Sequence, residues 1–159
     1  MAIREIVPHT DPFIRKKSKP VKEFDESLWE ILDDMHETLE AKMGAGLAAV
    51  QVGILKRIFI ININYVQMEF INPEIIETSG KQYKKEGCLS VQLPFNYTCR
   101  PQTVTVKAFD RYGNKFTFTC EDWTAVCICH EFDHLNGELY IDKTVTPPAE
   151  FLEDEEEDN

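Results

Sequence analysis

Apolar residues recur along this chain with two different spacings, and the spacings divide it into helices and strands. Leu28, Ile31, Leu32, Met35, Leu39 and Met43 fall three or four residues apart, the repeat of one helical face. They predict an amphipathic helix from about 26 to 43, ending at Gly44. Asp25 stands where an N-cap is needed, and Phe24 and Trp29 are spaced to staple the first turn. His36, one place past Met35, reads as a surface histidine. Residues 57–63, 69–73 and 75–78 read as strands, while 6–20 and the polar stretch before Cys88 show no strand pattern. Residues 103–109 and 115–120 alternate apolar and polar, and 110–114 between them read as a hairpin turn. No helical pattern separates these strands, so the sheets should be antiparallel or mixed. Ala125, Val126, Cys127, Ile128 and Cys129 are apolar almost all round a helix, which predicts a buried one, with Asn136-Gly137 as its left-handed stop. The predicted class is α+β: antiparallel or mixed β-sheets packed around this central helix, with the N-terminal amphipathic helix as a second.

Composition narrows the setting. A chain of 159 residues is enough for one domain with a core of its own. The five cysteines (88, 99, 120, 127 and 129) have no framework spacing, which predicts reduced thiols in a cytosol-like compartment. The opening residues lack the apolar core of a signal peptide, and no apolar run reaches membrane-spanning length. The net charge of -11 is concentrated at one end: residues 150–158 carry seven acids, and taking those from the total of 28 leaves 21 against 17 bases. The division expected is one folded domain over 1–148 and an acidic, disordered tail over 149–159. The acidity argues against nucleic acid as a partner.

The chemistry-bearing stretch is His130-Glu131-Phe132-Asp133-His134. On a helix, residues four apart lie on one face, so His130 and His134 can present two imidazoles to one metal ion. Glu131 is displaced by one residue, where a general base for a metal-bound water would stand. A catalytic tetrahedral site needs one more protein ligand and an open position. A third histidine six residues past His134 is ruled out, because that position is Tyr140. A downstream glutamate would have to come from Glu150 or the tail. Cys127 shares a helical side with His130, and Cys88 sits beside a glycine in Glu86-Gly87-Cys88-Leu89-Ser90; both remain open on spacing alone. Upstream, residues 44–53 are rich in Gly and Ala, which suits a tight turn or close backbone approach. Gln51 is the one polar side chain in that stretch, and once buried its amide needs a partner.

Three stretches taken together resemble the signature motifs of peptide deformylase, in the family's order: Gly44-Ala45-Gly46-Leu47-Ala48-Ala49-Val50-Gln51, Glu86-Gly87-Cys88-Leu89-Ser90 and His130-Glu131-Phe132-Asp133-His134-Leu135-Asn136-Gly137. The likeness runs from residue 2 to about 144. It implies Cys88, His130 and His134 as metal ligands and Glu131 as the proton-handling residue of a metal-bound hydroxide. Gln51 and the backbone N–H of Leu89 would hold the oxyanion. The implied reaction removes formate from the N-formyl-methionine of new polypeptides, with ferrous iron expected and zinc, nickel or cobalt as substitutes. Gly44, Ala45, Gly46 and Gly87 would let the peptide run alongside as an added strand, and Trp123, Val126 and Cys127 would line a methionine pocket. Arg100 is expected to pair with Glu86 and fix the Cys88 loop, and Asp133 to be structural. The expected setting is a monomer in the cytoplasm of a bacterium or phage-infected cell, or an organelle stroma, meeting nascent chains at the ribosome.

The chain departs from the family's pattern at Val91-Gln92-Leu93, where a proline is common, and at Pro94-Phe95-Asn96-Tyr97, where a basic residue is common. Lys84 replaces an apolar residue at the expected pocket entrance. Pro147-Pro148 and the acids after them argue against a C-terminal helix. Two rival readings are a zinc endopeptidase, which requires a carboxylate third ligand, and a metal-stabilised binding module, which requires a closed four-ligand site.

Overall fold

The computed structural model describes residues 2–152, so most of the acidic tail lies outside the described residues. Two helices, α1 (Glu26–Lys42) and α2 (Asp122–Leu135), enclose a five-stranded antiparallel sheet. Its order is β1 (Gly46–Ala48), β2 (Ile58–Ile63), β3 (Val66–Ser79), β6 (Thr103–Phe109) and β7 (Lys115–Glu121). The remaining strands, β4 (Gln82–Cys88) and β5 (Val91–Arg100), form a separate hairpin. No helix among the described residues is long and apolar enough to cross a membrane.

β2 shows why the sheet is central. Phe59 and Ile61 pack in the cluster that contains Ala125, Ile128 and Leu135 of α2, while Ile58 and Ile60 pack with Leu28, Leu32, Met35 and Leu39 of α1. A strand covered on both faces is apolar without alternation, and burying each such side chain contributes about 1.5–3 kcal/mol. β6 is covered by α2's cluster on one face, and there the alternation is clean: Val104, Val106 and Ala108 are buried, while Lys107 between them is exposed.

Several elements differ from the reading of the sequence. β3 is one strand, bent where Asn72 takes a left-handed φ of 51° and the register slips past Pro73. The Asn72 amide clasps Val21 N–H and C=O at 2.8 and 2.9 Å, which holds the bend. α1 stops one residue early, because Met43, at φ 54°, takes the left-handed position expected of Gly44. Asp25 caps α1 through Leu28 N–H, and the Phe24 and Trp29 rings meet Phe109 and Tyr112. His36 is not a surface group; its ring bonds Glu69 at 2.8 Å and is 15% exposed. Pro12–Arg15 form a 3-10 turn inside the segment read as irregular. A helical turn opens at 149–152, directly after Pro148, with the Phe151 ring 4.6 Å from that of Tyr83. The prolines precede this turn and so do not interrupt it. Lys84 pairs with Thr98 across the hairpin and does not line the cavity described next.

Candidate metal centre

α2 places His130 and His134 one turn apart on the same face, with ring centroids 5.1 Å from each other. The β4–β5 hairpin brings Cys88 to them at its tip, where Cys88 pairs with Val91. The Cys88 Sγ lies 3.3 Å from His134 Nε2, and one donor atom from each of Cys88, His130 and His134 falls within 4.8 Å of the others. Among the described residues this is the one group of three or more such side chains close enough to hold a metal ion. The donor set fits a cation. His130 Nδ1 is engaged by Glu86 Oε1 at 2.7 Å, which fixes the ring and leaves Nε2 for the metal. Burial, with help from neighbouring His130, drives the His134 ring well below its ordinary value, so it is neutral and has a lone pair to offer. Cys127 is outside the group, and burial pushes its thiol up, which opposes a thiolate there.

The polar side chains beneath the ligands are buried and paired. Arg100 donates to Glu86 through Nε at 2.7 Å and Nη2 at 2.9 Å, and to Asp133 through Nη1 at 2.6 Å. The Thr98 hydroxyl also donates to Glu86. Burial disfavours the Glu86 carboxylate, but the His130 and Arg100 donors outweigh it and hold it at about 2. Glu86 is therefore an anion between an imidazole and a guanidinium, and the hairpin is tied to α2 through it. Lys143 closes the outer end, 3.1 Å from Asp133.

Glu131 lies against the other wall. A methyl group on Gly46 would come within 2.9 Å of its Cγ and Oε1, so only glycine lets β1 pass this close. Its Oε2 is buried without a hydrogen-bond partner, and burial pushes the carboxyl up to about 7. Gln51 is 1% exposed, and its amide is fully oriented. Its Oε1 accepts Ala48 N–H at 2.9 Å, and its Nε2 donates to Ser90 Oγ at 3.1 Å and faces Cys88 Sγ at 3.4 Å.

A cavity of about 380 Å³ opens onto these groups. Gly44, Ala45, Gly46, Gly87 and Leu89 line one side, and Trp123, Val126 and Cys127 another. The sequence reading missed Phe95 and Met43, which also line it and are 69% and 92% exposed. Phe95 lies over Gly87, where any side chain would collide with its ring. The one signal for Phe95 was an aromatic residue in the stretch just after the cysteine motif.

Comparison with known proteins identifies the family. A family model described as polypeptide deformylase matches residues 3–149. A peptide deformylase of Caldicellulosiruptor bescii is 47% identical over 145 residues, covering 91% of this chain and 87% of its own. One of Caldanaerobacter subterraneus is 46% identical and covers 98% of this chain and 96% of its own. The crystal structure of a peptide deformylase from Legionella pneumophila superposes with a TM-score of 0.87 at 40% identity, covering 98% of this chain and 92% of its own.

Proposed function

Because the chain belongs to the polypeptide deformylase family, whose metal-dependent enzymes remove the N-formyl group from new polypeptides, we propose that it hydrolyses N-formyl-methionyl peptides in the cavity above Cys88, His130 and His134. The convergence of those three side chains, with the unpartnered Oε2 of Glu131 beside them, carries the reading.

Cys88, His130 and His134 would hold the metal, with ferrous iron as the working ion and zinc, nickel or cobalt as replacements. When bound, a divalent ion supplies Lewis acidity and lowers the pKa of water from ~16 towards ~7. The water oxygen adds to the formyl carbon, the C–N bond breaks, and formate leaves. Glu131 accepts the proton of the attacking water and returns it to the departing amine. Burial raises the Glu131 carboxyl above its ordinary value, which favours its role as a proton carrier. Gln51 Nε2, already fixed by Ser90, and the Leu89 N–H serve the developing oxyanion. One such preorganised donor contributes ~3 kcal/mol to the lowering of the barrier. The methionine side chain enters between Trp123, Val126 and Cys127, and the peptide lies along Gly44–Gly46 and Gly87 as an added strand.

The test is formate release from formyl-Met-Ala-Ser by anaerobically prepared, iron-loaded protein. Glu131→Gln should retain metal and lose activity by about 10²–10⁴-fold. No release by the iron-loaded parent protein would overturn the proposal. The endopeptidase reading required a carboxylate ligand, whereas the third member of the group is a cysteine.

A further inference from the structure

The entry to α2 is unusual, and it stands next to the cavity. Asp122, the first residue of the helix, has φ 57°. L-residues other than Asn and Asp rarely take that conformation, and even these need something to hold them there. The preceding residue, Glu121, makes no side-chain cap. Four other bonds hold the turn. Asp122 N–H donates to Gln102 C=O at 3.1 Å, and the Gln102 amide donates to the Asp122 carboxylate. Gln82 Nε2 bonds Asp122 C=O and Pro101 C=O, each at 2.9 Å. Gln82 is 5% exposed, although it opens β4, whose far end carries Cys88.

Trp123 follows Asp122 directly, is 42% exposed, and still lines the cavity. It lies in the first turn of α2, directly after the residue with the left-handed φ. We propose that Asp122, Gln82 and Gln102 form a clamp that positions Trp123 as a wall of the methionine pocket, so that the three residues set substrate side-chain preference without touching substrate. The clamp joins the strand that delivers the thiol to the helix that delivers the imidazoles, at the end remote from the metal. It thus acts on the pocket and not on the reacting atoms. The inference rests on the formyl-methionine reading of the cavity.

The experiment compares formyl-Met-Ala-Ser with formyl-Ala-Ala-Ser, whose small side chain has little use for the wall. Asp122→Ala removes the carboxylate and leaves a residue poorly suited to the left-handed turn. Its KM for the methionyl substrate should rise about tenfold with kcat within about twofold, while the alanyl substrate is unaffected. Asp122→Asn keeps both the tolerance for that turn and an acceptor oxygen, and should restore KM to within about threefold of the parent. Gln82→Met keeps the volume, loses both donated bonds, and should resemble Asp122→Ala. In a Trp29→Phe background, where Trp123 is the remaining indole, the same variants should shift its fluorescence. Equal losses on both substrates would reduce the clamp to a structural brace and overturn the proposal, as would unchanged discrimination. If the parent protein releases no formate, the functional reading fails, and the fluorescence shift alone still tests whether the clamp places Trp123.

Discussion

Two clusters in this molecule are built from the same four residue types. Beneath the metal centre, Glu86 takes donors from Arg100 and from the His130 ring, and Arg100 also reaches Asp133. Across the sheet, Glu69 takes donors from Arg111 and from the His36 ring, and Arg111 also reaches Asp33. The distances match: 2.7 Å for the ring contact in one cluster and 2.8 Å in the other. What differs is depth and what lies beyond the histidine. Arg100 and Glu86 are 5% and 1% exposed, Arg111 and Glu69 22% and 16%. The His130 side reaches Cys88 and His134, whereas the second nitrogen of His36 is buried with no partner. Residue types and hydrogen bonds therefore do not mark the functional site. A ring steered towards two further donors does, and the outer cluster is a brace between α1, β3 and the β6–β7 turn.

Removing the glutamate from each cluster separates them most sharply. Glu86→Ala leaves a buried guanidinium with one carboxylate fewer and releases the His130 ring. We expect a loss of about 3–5 kcal/mol of stability, read as a fall in melting temperature of about 10 °C. Metal affinity should fall about 10–100-fold in a chelator competition. Glu69→Ala, nearer to water, should cost about 1–2 kcal/mol and leave metal affinity and formate release untouched. Equal losses would mean that depth is not what distinguishes the clusters.

The outer cluster also predicts an acid limb. Burial disfavours the Glu69 carboxylate, but the Arg111 and His36 donors prevail and hold it at about 2, below its ordinary 4.5. A carboxyl with a depressed folded value stabilises the fold above its ordinary value and loses that contribution as pH falls towards the folded one. Stability should thus decline between about pH 5 and pH 2. Glu69→Gln should flatten that limb in pH-dependent melting, and an unchanged limb would assign it to other carboxylates.

The same contrast explains what could be read from the sequence. The outer brace is carried by α1, β3 and β6–β7, elements visible through Leu28 to Leu39 and through the alternation of Val104, Val106 and Ala108. The β4–β5 hairpin was invisible because its inward positions are Gln82, Glu86, Thr98 and Arg100, buried by pairing and not by apolarity. A strand whose core face is polar has no hydrophobic period to detect. The His-Glu-x-x-His stretch and the Arg100–Glu86 pairing were legible, the first from helical geometry and the second from resemblance. Asp133 was assigned no more than a structural part, and its partners lie 33 and 10 residues away in sequence, beyond any local pattern. His36 was misjudged for a related reason: its burial depends on Glu69, a strand partner that helical periodicity cannot show.

The smallest expected difference lies in the two aspartates. Asp33 is 40% exposed and meets Arg111 at 3.0 Å, so water already competes for both ions. Asp33→Ala should cost about 0.5 kcal/mol, and less as salt is raised. Asp133 is 11% exposed, meets Arg100 at 2.6 Å, and also holds Lys143. Asp133→Ala removes one of the two carboxylates facing a guanidinium that is 5% exposed, so it should cost several times more and respond little to salt. Parallel chemical denaturation of both variants at low and high ionic strength reads the difference. If Asp133→Ala proved as mild and as salt-sensitive as Asp33→Ala, Arg100 would be anchored by Glu86 alone, and the inner cluster would be a pair with an ornament, not a connected brace for the metal ligands.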